Sequence, residues 1–280
     1  MQINFVKMQG LGNDYIIIND LDEQITDYSG CAIKLCQHHF GIGADGIIFL
    51  QKSDAANFKM RIFTPDGNET EMSGNGMRCL ARYLYDSGLV KSNKMELETL
   101  AGIKRPEIVG DLVKVRMGEP IINRSKIPMK GPDGPAINVP LNLKDSVVNV
   151  SVVSMGNPHA IVFVETFNFS IENLGKQIET HPLFPHRANV GFAQVISRKE
   201  INLCTWERGA GITLACGTGA SAAVVAGVLS NLVDRRVTVR LLGGELFIEW
   251  SETDNNVYMT GPAKKVFEGS YEWEEETELD

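Results

Sequence analysis

The feature that most constrains this chain is a Gly-rich turn that occurs twice, each time before a long apolar stretch without Pro. The first copy is Ser73-Gly74-Asn75-Gly76 and the second is Cys216-Gly217-Thr218-Gly219. A Gly-rich turn that opens a helix leaves backbone N–H groups unpaired at the positive end of the helix dipole. Each copy therefore predicts a helix whose N-terminus suits an anion, and a thiol there is expected to have a lowered pKa.

The two turns belong to a wider duplication. Ser73 precedes Cys216 by 143 positions, and Gly12-Asn13 precedes Gly156-Asn157 by 144. Both halves thus carry a Gly-Asn turn with an apolar run, and then a Gly-rich helix start. A duplicated fold, in which two facing helix N-termini grip one small anion, is the economical interpretation.

Composition narrows the class of protein. A chain of 280 residues with 43% apolar and 22% charged residues is typical of a soluble globular protein of two lobes. Its net charge of −8 argues against a general nucleic-acid or anionic-membrane binder. We expect the acidic end, Glu272 to Asp280, to be a frayed and solvated tail.

No signal peptide is expected, since the first residues run straight into folded-looking sequence. No apolar run approaches the ~20 residues that span a bilayer. The odd number of cysteines and the absence of a CxxC pair favour reduced thiols over a disulfide framework. The histidines lack metal-ligand spacing, so no metal is expected. These features predict a cytoplasmic protein.

Hydrophobic periodicity predicts mixed α/β structure with β-branched strands and few helices. The predicted helices are Tyr28 to Phe40, Gly74 to about Gly88, Ile171 to Glu179 and the run from Ala220 to Leu232. The Pro-rich stretch Gly118 to Pro140 is interpreted as the crossing between lobes. The predicted N-terminal lobe is 1–118 with 263–280, because the strand near Val266 is expected to return to it; the C-terminal lobe is 119–262.

Ordered motifs over nearly the whole chain give a more specific identification. They are Gly10-Leu11-Gly12-Asn13-Asp14-Tyr15, Phe40-Gly41-Ile42-Gly43-Ala44-Asp45, Pro65-Asp66-Gly67, Gly74-Asn75-Gly76-Met77-Arg78-Cys79, Gly156-Asn157-Pro158-His159, Trp206-Glu207-Arg208-Gly209 and Ala215-Cys216-Gly217-Thr218-Gly219-Ala220. Together they resemble the diaminopimelate epimerases, which are cofactor-independent amino-acid epimerases. The resemblance implies two pseudo-symmetric lobes, each a sheet wrapped around a central helix, with the active site between the lobes.

Residues suited to this chemistry are present. Inverting an amino acid at Cα requires removal of a proton on one face and its return on the other, and thiols suit this because their ordinary pKa is ~8.5. A carboxylate over Gly74-Asn75 and Gly217-Thr218 would gain hydrogen bonds from both helix ends, which also stabilise the charge that develops on it. Neither a Walker A motif nor a full Gly-x-Gly-x-x-Gly is present, and no cofactor is expected.

By resemblance, Cys216 is one of two catalytic thiols and Ser73 occupies the position of the other. The resemblance further implies that His159 and Glu207 adjust protonation. It assigns substrate binding to Asn13, Thr64, Gly74, Asn75, Asn157, Asn189, Glu207, Arg208, Gly217 and Thr218. Arg208 suits a distal carboxylate, since a guanidinium makes a two-pronged contact with such a group. Each residue also has a plainer interpretation, as a turn, surface or core residue.

Three positions depart from the family. Ser73 replaces a thiol, although serine is also a favoured N-cap. Thr64 stands where an Asn usually binds substrate, and Gly46 often has a side-chain amide as its counterpart. A deliberate Cys-to-Ser change, a natural relative with altered chemistry and a ligand-binding descendant are all compatible with this pattern.

The leading interpretation is epimerisation of LL-diaminopimelate to meso-diaminopimelate for lysine and peptidoglycan-precursor synthesis. A racemase of another polar amino acid, such as histidine, and a non-catalytic amino-acid binding protein are the alternatives. The expected partner is a small amino acid, with no nucleic acid and no membrane, and the family resemblance suggests a homodimer.

Overall fold

A computed structural model of the chain describes residues 1–273. Its regular elements, in chain order, are β1 (Gln2–Gly10), β2 (Asn13–Asn19), α1 (Tyr28–Leu35), β3 (Gly46–Gln51), β4 (Phe58–Phe63), β5 (Glu69–Thr70), α2 (Gly74–Asp86), β6 (Leu97–Thr99), β7 (Gly102–Lys104), β8 (Glu107–Val109), β9 (Leu112–Gly118), a 3-10 helix (Arg124–Lys126), β10 (Ala136–Asn142), β11 (Val147–Ser154), β12 (Pro158–Phe163), α3 (Ile171–Glu179), β13 (Asn189–Ser197), β14 (Glu200–Glu207), β15 (Gly211–Thr213), α4 (Gly217–Leu229), β16 (Arg236–Leu241), β17 (Gly244–Trp250), β18 (Val257–Pro262) and β19 (Lys264–Glu272). Within the acidic end, positions 274–280 lie outside the described residues.

The chain divides into two compact units. Unit 1 comprises Met1–Val115 and Gly261–Asp280, and unit 2 comprises Arg116–Thr260. The chain leaves unit 1 within β9 and returns to it within β18, and its last strand, β19, pairs antiparallel with β1. The Pro-rich stretch from Gly118 to Pro140 belongs to unit 2, where it forms the 3-10 helix and most of β10.

The two units repeat one order of strand pairing. In unit 1 the order β1-β2-β3-β4-β6-β7 alternates antiparallel and parallel pairs, and β5 pairs with β4 at the side. In unit 2 the order β11-β12-β13-β14-β16-β17 alternates in the same way, with β15 beside β14. The duplication predicted from the spacing of the motifs is therefore confirmed, as is the mixed α/β class.

Each sheet packs a central helix and a smaller one. In unit 2, α4 contacts β11, β12, β13 and β17, and its residues from Gly219 to Gly227 are buried. A helix that is apolar on all sides is stable only when it is enclosed. The smaller helix α3 supplies Ile178 to a separate core cluster with Val190 and Phe192. In unit 1, α2 contacts β1 and β2, whereas α1 contacts β3 and β4.

One predicted helix is too long. We expected Tyr28 to Phe40, but α1 ends at Leu35, and Phe40 is 85% exposed. The backbone N–H groups of Ile42 and Gly43 both donate to the carbonyl of Leu35, and Gly43 has a φ of 75°. These bonds occupy the carbonyl that would accept from the next helical turn, so the helix does not continue past Leu35.

The cysteines on α1 are core residues, as predicted. Cys31 and Cys36 are buried in the cluster that includes Leu35 and Phe49. All five cysteines are free thiols. Among the described residues, no helix combines the length and apolar character needed to cross a bilayer.

Burial of four thiols makes the fold sensitive to alkaline pH. Burial raises the pKa of Cys31, Cys36, Cys79 and Cys216 from 9.0 to about 12. Between pH 9 and 12 the unfolded chain loses these protons while the folded chain keeps them, so unfolding releases protons. Each thiol should lower the free energy of unfolding by up to ~1.4 kcal/mol per pH unit in that window.

Urea unfolding under reducing conditions at pH 7.5, 9 and 10.5 measures this dependence. The slope above pH 9 should become shallower in a Cys31→Ala/Cys36→Ala variant, which has two fewer such groups. An unfolding free energy that stays constant from pH 7.5 to 10.5 would contradict the prediction.

Candidate active site

In unit 1, the candidate site is built on the first turn of α2. Ser73 is the N-cap, with φ −129° and ψ 126°, and its Oγ accepts a hydrogen bond of 3.1 Å from the backbone N–H of Gly76. A Cβ at Gly76 would come within 3.2 Å of Ile48, so glycine lets this turn approach β3 closely. The prediction of a Gly-rich helix start is confirmed, and the first N–H groups of α2 have the orientation that binds anions.

The hydroxyl of Ser73 contacts a phenol. Ser73 Oγ lies 2.7 Å from the hydroxyl of Tyr15, which in turn donates to Asn13 Oδ1 at 2.9 Å. Because the phenol proton points to Asn13, Ser73 is the donor to Tyr15. Burial is the main cause that raises the pKa of Tyr15 above its ordinary value, so the phenol is neutral at physiological pH. Tyr15 therefore cannot serve as a base for Ser73.

Two asparagines extend this network. Asn75 Nδ2 donates to Asn13 Oδ1 at 3.0 Å, and Asn13 Nδ2 donates to Asp45 Oδ2 at 2.8 Å. Asn75 Oδ1 is buried and accepts no hydrogen bond from the described residues. An unsatisfied buried acceptor costs about 1–3 kcal/mol, so this oxygen is suited to a donor from a ligand.

The two other departures from the family pattern have local explanations. The hydroxyl of Thr64 is bound within its own turn, to the carboxylate of Asp66 and the carbonyl of Asn68. A Cβ at Gly46 would come within 3.0 Å of a backbone oxygen and 3.1 Å of the ring of Tyr15. A larger side chain at position 46 would crowd the ring of Tyr15, which explains the glycine there.

In unit 2, the first turn of α4 repeats this geometry with a thiol. Cys216 is the N-cap, with φ −129° and ψ 106°, and is 4% exposed. Its Sγ lies 3.5 Å from Thr218 Oγ1. A Cβ at Gly219 would come within 3.1 Å of Thr205, so this helix start also approaches its sheet closely.

A buried histidine adjoins the same turn. His159 Nε2 lies 3.0 Å from both Thr218 Oγ1 and Asn157 Oδ1. Because the oxygen of Asn157 is an acceptor, we assign the ring proton to Nε2. Burial lowers the pKa of His159 to about 3, so the ring is neutral and Nδ1 has a free lone pair. Nδ1 is buried and has no hydrogen-bond partner among residues 1–273.

The thiol of Cys216 is less acidic than we expected from its place at a helix start. Burial raises its pKa to about 12, and the adjacent carboxylate of Glu207 acts in the same direction. The hydroxyl of Thr218 and the amide of Gly219 act in the opposite direction but are outweighed. Glu207 is itself fixed by Thr213, whose hydroxyl donates to it at 2.6 Å. Cys216 is therefore a neutral thiol beside a carboxylate.

The last part of the candidate site is the turn after β14. The backbone N–H of Arg208 donates to Asn189 Oδ1 at 2.8 Å, and Arg208 Nη1 donates to the carbonyl of His186 at 2.8 Å. The side chain is exposed, and a guanidinium has five donor hydrogens. Arg208 can therefore still make a two-pronged contact with a carboxylate.

The predicted site residues thus form three groups. Asn13, Ser73 and Asn75 share one network, Asn157, His159, Glu207, Cys216 and Thr218 line another, and Asn189 binds Arg208 directly. Gly74 and Gly217 are the first residues of their helices, and Thr64 remains in a separate turn. The sequence analysis missed the roles of Tyr15, Asp45 and Thr213, since their partners lie 58, 32 and 6 positions away and no spacing marks them.

Sequence comparisons with known proteins identify the family of this chain. The sequence profile described as diaminopimelate epimerase matches residues 5–122 and 151–266, one stretch in each half of the duplication. A diaminopimelate epimerase from Pelotomaculum thermopropionicum is 50% identical over 277 residues, which cover 96% of this chain and 99% of the relative.

Solved structures show the same fold at much lower identity. A phenazine biosynthesis protein of the PhzF family from Bacillus anthracis has a TM-score of 0.71 and 18% identity, covering 98% of this chain and 100% of the other. A hydroxyproline epimerase from Agrobacterium vitis has a TM-score of 0.68 and 16% identity, covering 96% and 92%. On the strength of the profile and the close relative, this chain belongs to the diaminopimelate epimerase family of isomerases.

Proposed function

We propose that this chain acts on diaminopimelate by the cofactor-independent chemistry that interconverts the LL and meso isomers. Cys216 would serve as the acid/base on one face of Cα, and the residue at position 73 would serve the other face. The observation that carries the proposal is the repeated helix start, with Cys216 at one copy beside a carboxylate and Ser73 at the other.

The substrate α-carboxylate is the natural ligand of these helix starts. It would accept hydrogen bonds from the first backbone N–H groups of the helices, at Gly74-Asn75 and Gly217-Thr218. When the α-proton leaves, its electron pair moves onto the carboxylate, and the same donors stabilise the added charge. The buried Asn75 Oδ1 is an acceptor that suits an ammonium group.

The proton transfer at Cys216 requires the thiol to ionise first. With a pKa of about 12, the thiol keeps its proton in the ligand-free protein. The substrate ammonium group brings a positive charge to the site, which lowers the pKa of a neighbouring thiol, and Glu207 is the adjacent group that can take the thiol proton. The thiolate then removes the α-proton, and the reverse transfer returns a proton to the same face.

Position 73 cannot repeat this step with a hydroxyl. Ser73 has a neutral phenol as its neighbour and no carboxylate within hydrogen-bonding distance among the described residues. The chain with Ser73 can therefore transfer a proton on only one face of Cα. Full epimerisation requires a thiol at position 73. The second candidate function is that of a non-catalytic binding protein. The Ser73–Tyr15–Asn13 network offers hydrogen bonds to polar groups of a ligand but contains no base.

The wider context follows from family membership. We propose that the product enters lysine and peptidoglycan-precursor synthesis, that the protein works in the cytoplasm, and that it forms a homodimer. A racemase of another polar amino acid, such as histidine, would use the same Cys216 chemistry with a different distal contact.

Ser73→Cys should raise the rate of diaminopimelate epimerisation by ~10²-fold or more, because it restores the second acid/base. The measurement is conversion of the LL isomer, followed by chiral chromatography. Ser73→Ala is the matched control and should give no gain. If a folded Ser73→Cys variant shows no turnover of diaminopimelate, another amino acid is the substrate.

The unaltered chain should exchange the α-hydrogen of one stereoisomer only. Incubation in heavy water with LL- or meso-diaminopimelate, followed by NMR at Cα, should show exchange with retention at the reacting Cα of one of the two. Cys216→Ala should abolish it, and iodoacetamide should inactivate slowly at pH 7, since a pKa of about 12 leaves only ~10⁻⁵ of the thiol ionised. Equal exchange of both isomers would exclude Cys216 as the single base, and binding without any exchange would favour the binding-protein alternative.

Arg208→Ala should weaken diaminopimelate binding by about tenfold or more, because it removes the charged partner of the distal carboxylate. Titration calorimetry with L-lysine, which has the same carbon chain without that carboxylate, provides the matched ligand. Its affinity should change little. Equal losses for the two ligands would show that Arg208 does not recognise the distal carboxylate.

A further inference from the structure

We infer that Glu179 is a positioning residue that fixes the place of Arg208 and thereby the affinity for a distal carboxylate. This inference rests on the proposed function of Arg208. Glu179 is the last residue of α3 and is 4% exposed. It belongs to none of the three groups of predicted site residues, yet its carboxylate joins the two segments that hold Arg208.

The first link runs to β14. Trp206 Nε1 donates to Glu179 Oε2 at 2.8 Å, and Trp206 lies two positions before Arg208. The indole also packs closely on α3, since a Cβ at Gly175 would come within 2.6 Å of its ring. Gly175 and the carboxylate one turn later therefore fix the ring, and with it the end of β14, where Glu207 lies directly before Arg208.

The second link runs to the segment before β13. Arg187 Nη1 lies 3.4 Å from Glu179 Oε1, and the backbone N–H of Ala188 donates to the carbonyl of Glu179 at 3.3 Å. Arg187 has a φ of 59°, a left-handed conformation that is uncommon outside glycine and needs support from its surroundings. His186 and Asn189 flank Arg187 and Ala188 in the sequence. They supply the two oxygens that accept hydrogen bonds from Arg208.

A carboxylate at this place is poorly explained by stability alone. Burial of a charged group is costly, and well-packed apolar side chains often replace buried ion pairs without loss of stability. The carboxylate instead orients two segments, because one oxygen accepts from Trp206 and the other from Arg187. Removing it should loosen both supports of Arg208 while the sheet behind them remains paired.

The test uses the full chain and compares Kd values for LL-diaminopimelate and L-lysine by calorimetry. Glu179→Ala should weaken diaminopimelate by about tenfold and leave L-lysine within about twofold. Trp206→Phe, which keeps an aromatic ring but removes the indole N–H donor, should act in the same direction. Glu179→Gln, which keeps an acceptor for Trp206, should recover part of the affinity. Glu172→Ala, at an exposed position in the first turn of α3, is the matched control and should change neither Kd.

The outcomes separate the two proposals. If Arg208→Ala selectively weakens diaminopimelate but Glu179→Ala, Glu179→Gln and Trp206→Phe do not, the positioning role is wrong and the proposed function stands. If Arg208→Ala itself shows no selectivity, the proposed function of Arg208 is wrong and the positioning role falls with it. Equal loss of both ligands in the Glu179 variants would show a general structural role instead. Should Glu179→Ala not fold, Glu179→Gln and Trp206→Phe decide the question.

Discussion

The beginning of a buried helix leaves backbone N–H groups that must find acceptors, and this constraint organises both halves of the chain. Residues Gly219 to Gly227 of α4 are buried, so the helix is held by its sheet whether or not a ligand is present. Its first N–H groups then lie at the thiol of Cys216. The first turn of α2 presents the same groups beside Ser73. The packing that stabilises the fold thus also fixes the unpaired N–H groups at both helix starts.

Local patterns predicted most of the fold because the duplication is visible in the spacing of residues. The offset of 143 positions predicted that α2 and α4 begin at equivalent residues, and both begin one residue after Ser73 and Cys216. The helix predicted from Ile171 to Glu179 coincides with α3. The end of α1 was not predictable from periodicity, because it depends on the backbone bonds that Ile42 and Gly43 donate to the carbonyl of Leu35.

The sequence pointed to individual candidate residues but not to the contacts among them. Spacing identified Asn13 and Ser73, whereas their connection through Tyr15 depends on how β2 lies beside α2. The same limit applies to Glu179, whose partners Trp206 and Arg187 come from different segments. Contacts between distant segments depend on strand register, which no local pattern specifies.

The pKa of Cys216 shows how a correct placement can lead to a wrong expectation about chemistry. A helix N-terminus favours a thiolate, but this thiol is 4% exposed, and its loss of hydration together with the charge of Glu207 outweighs the helix. The two helix starts share a backbone conformation and differ in what adjoins them. Cys216 has a carboxylate that can receive its proton, whereas Ser73 has the neutral phenol of Tyr15. Because proton transfer requires a group that can accept the proton, the chemical difference between the two helix starts resides in these neighbours as much as in the exchange of sulfur for oxygen.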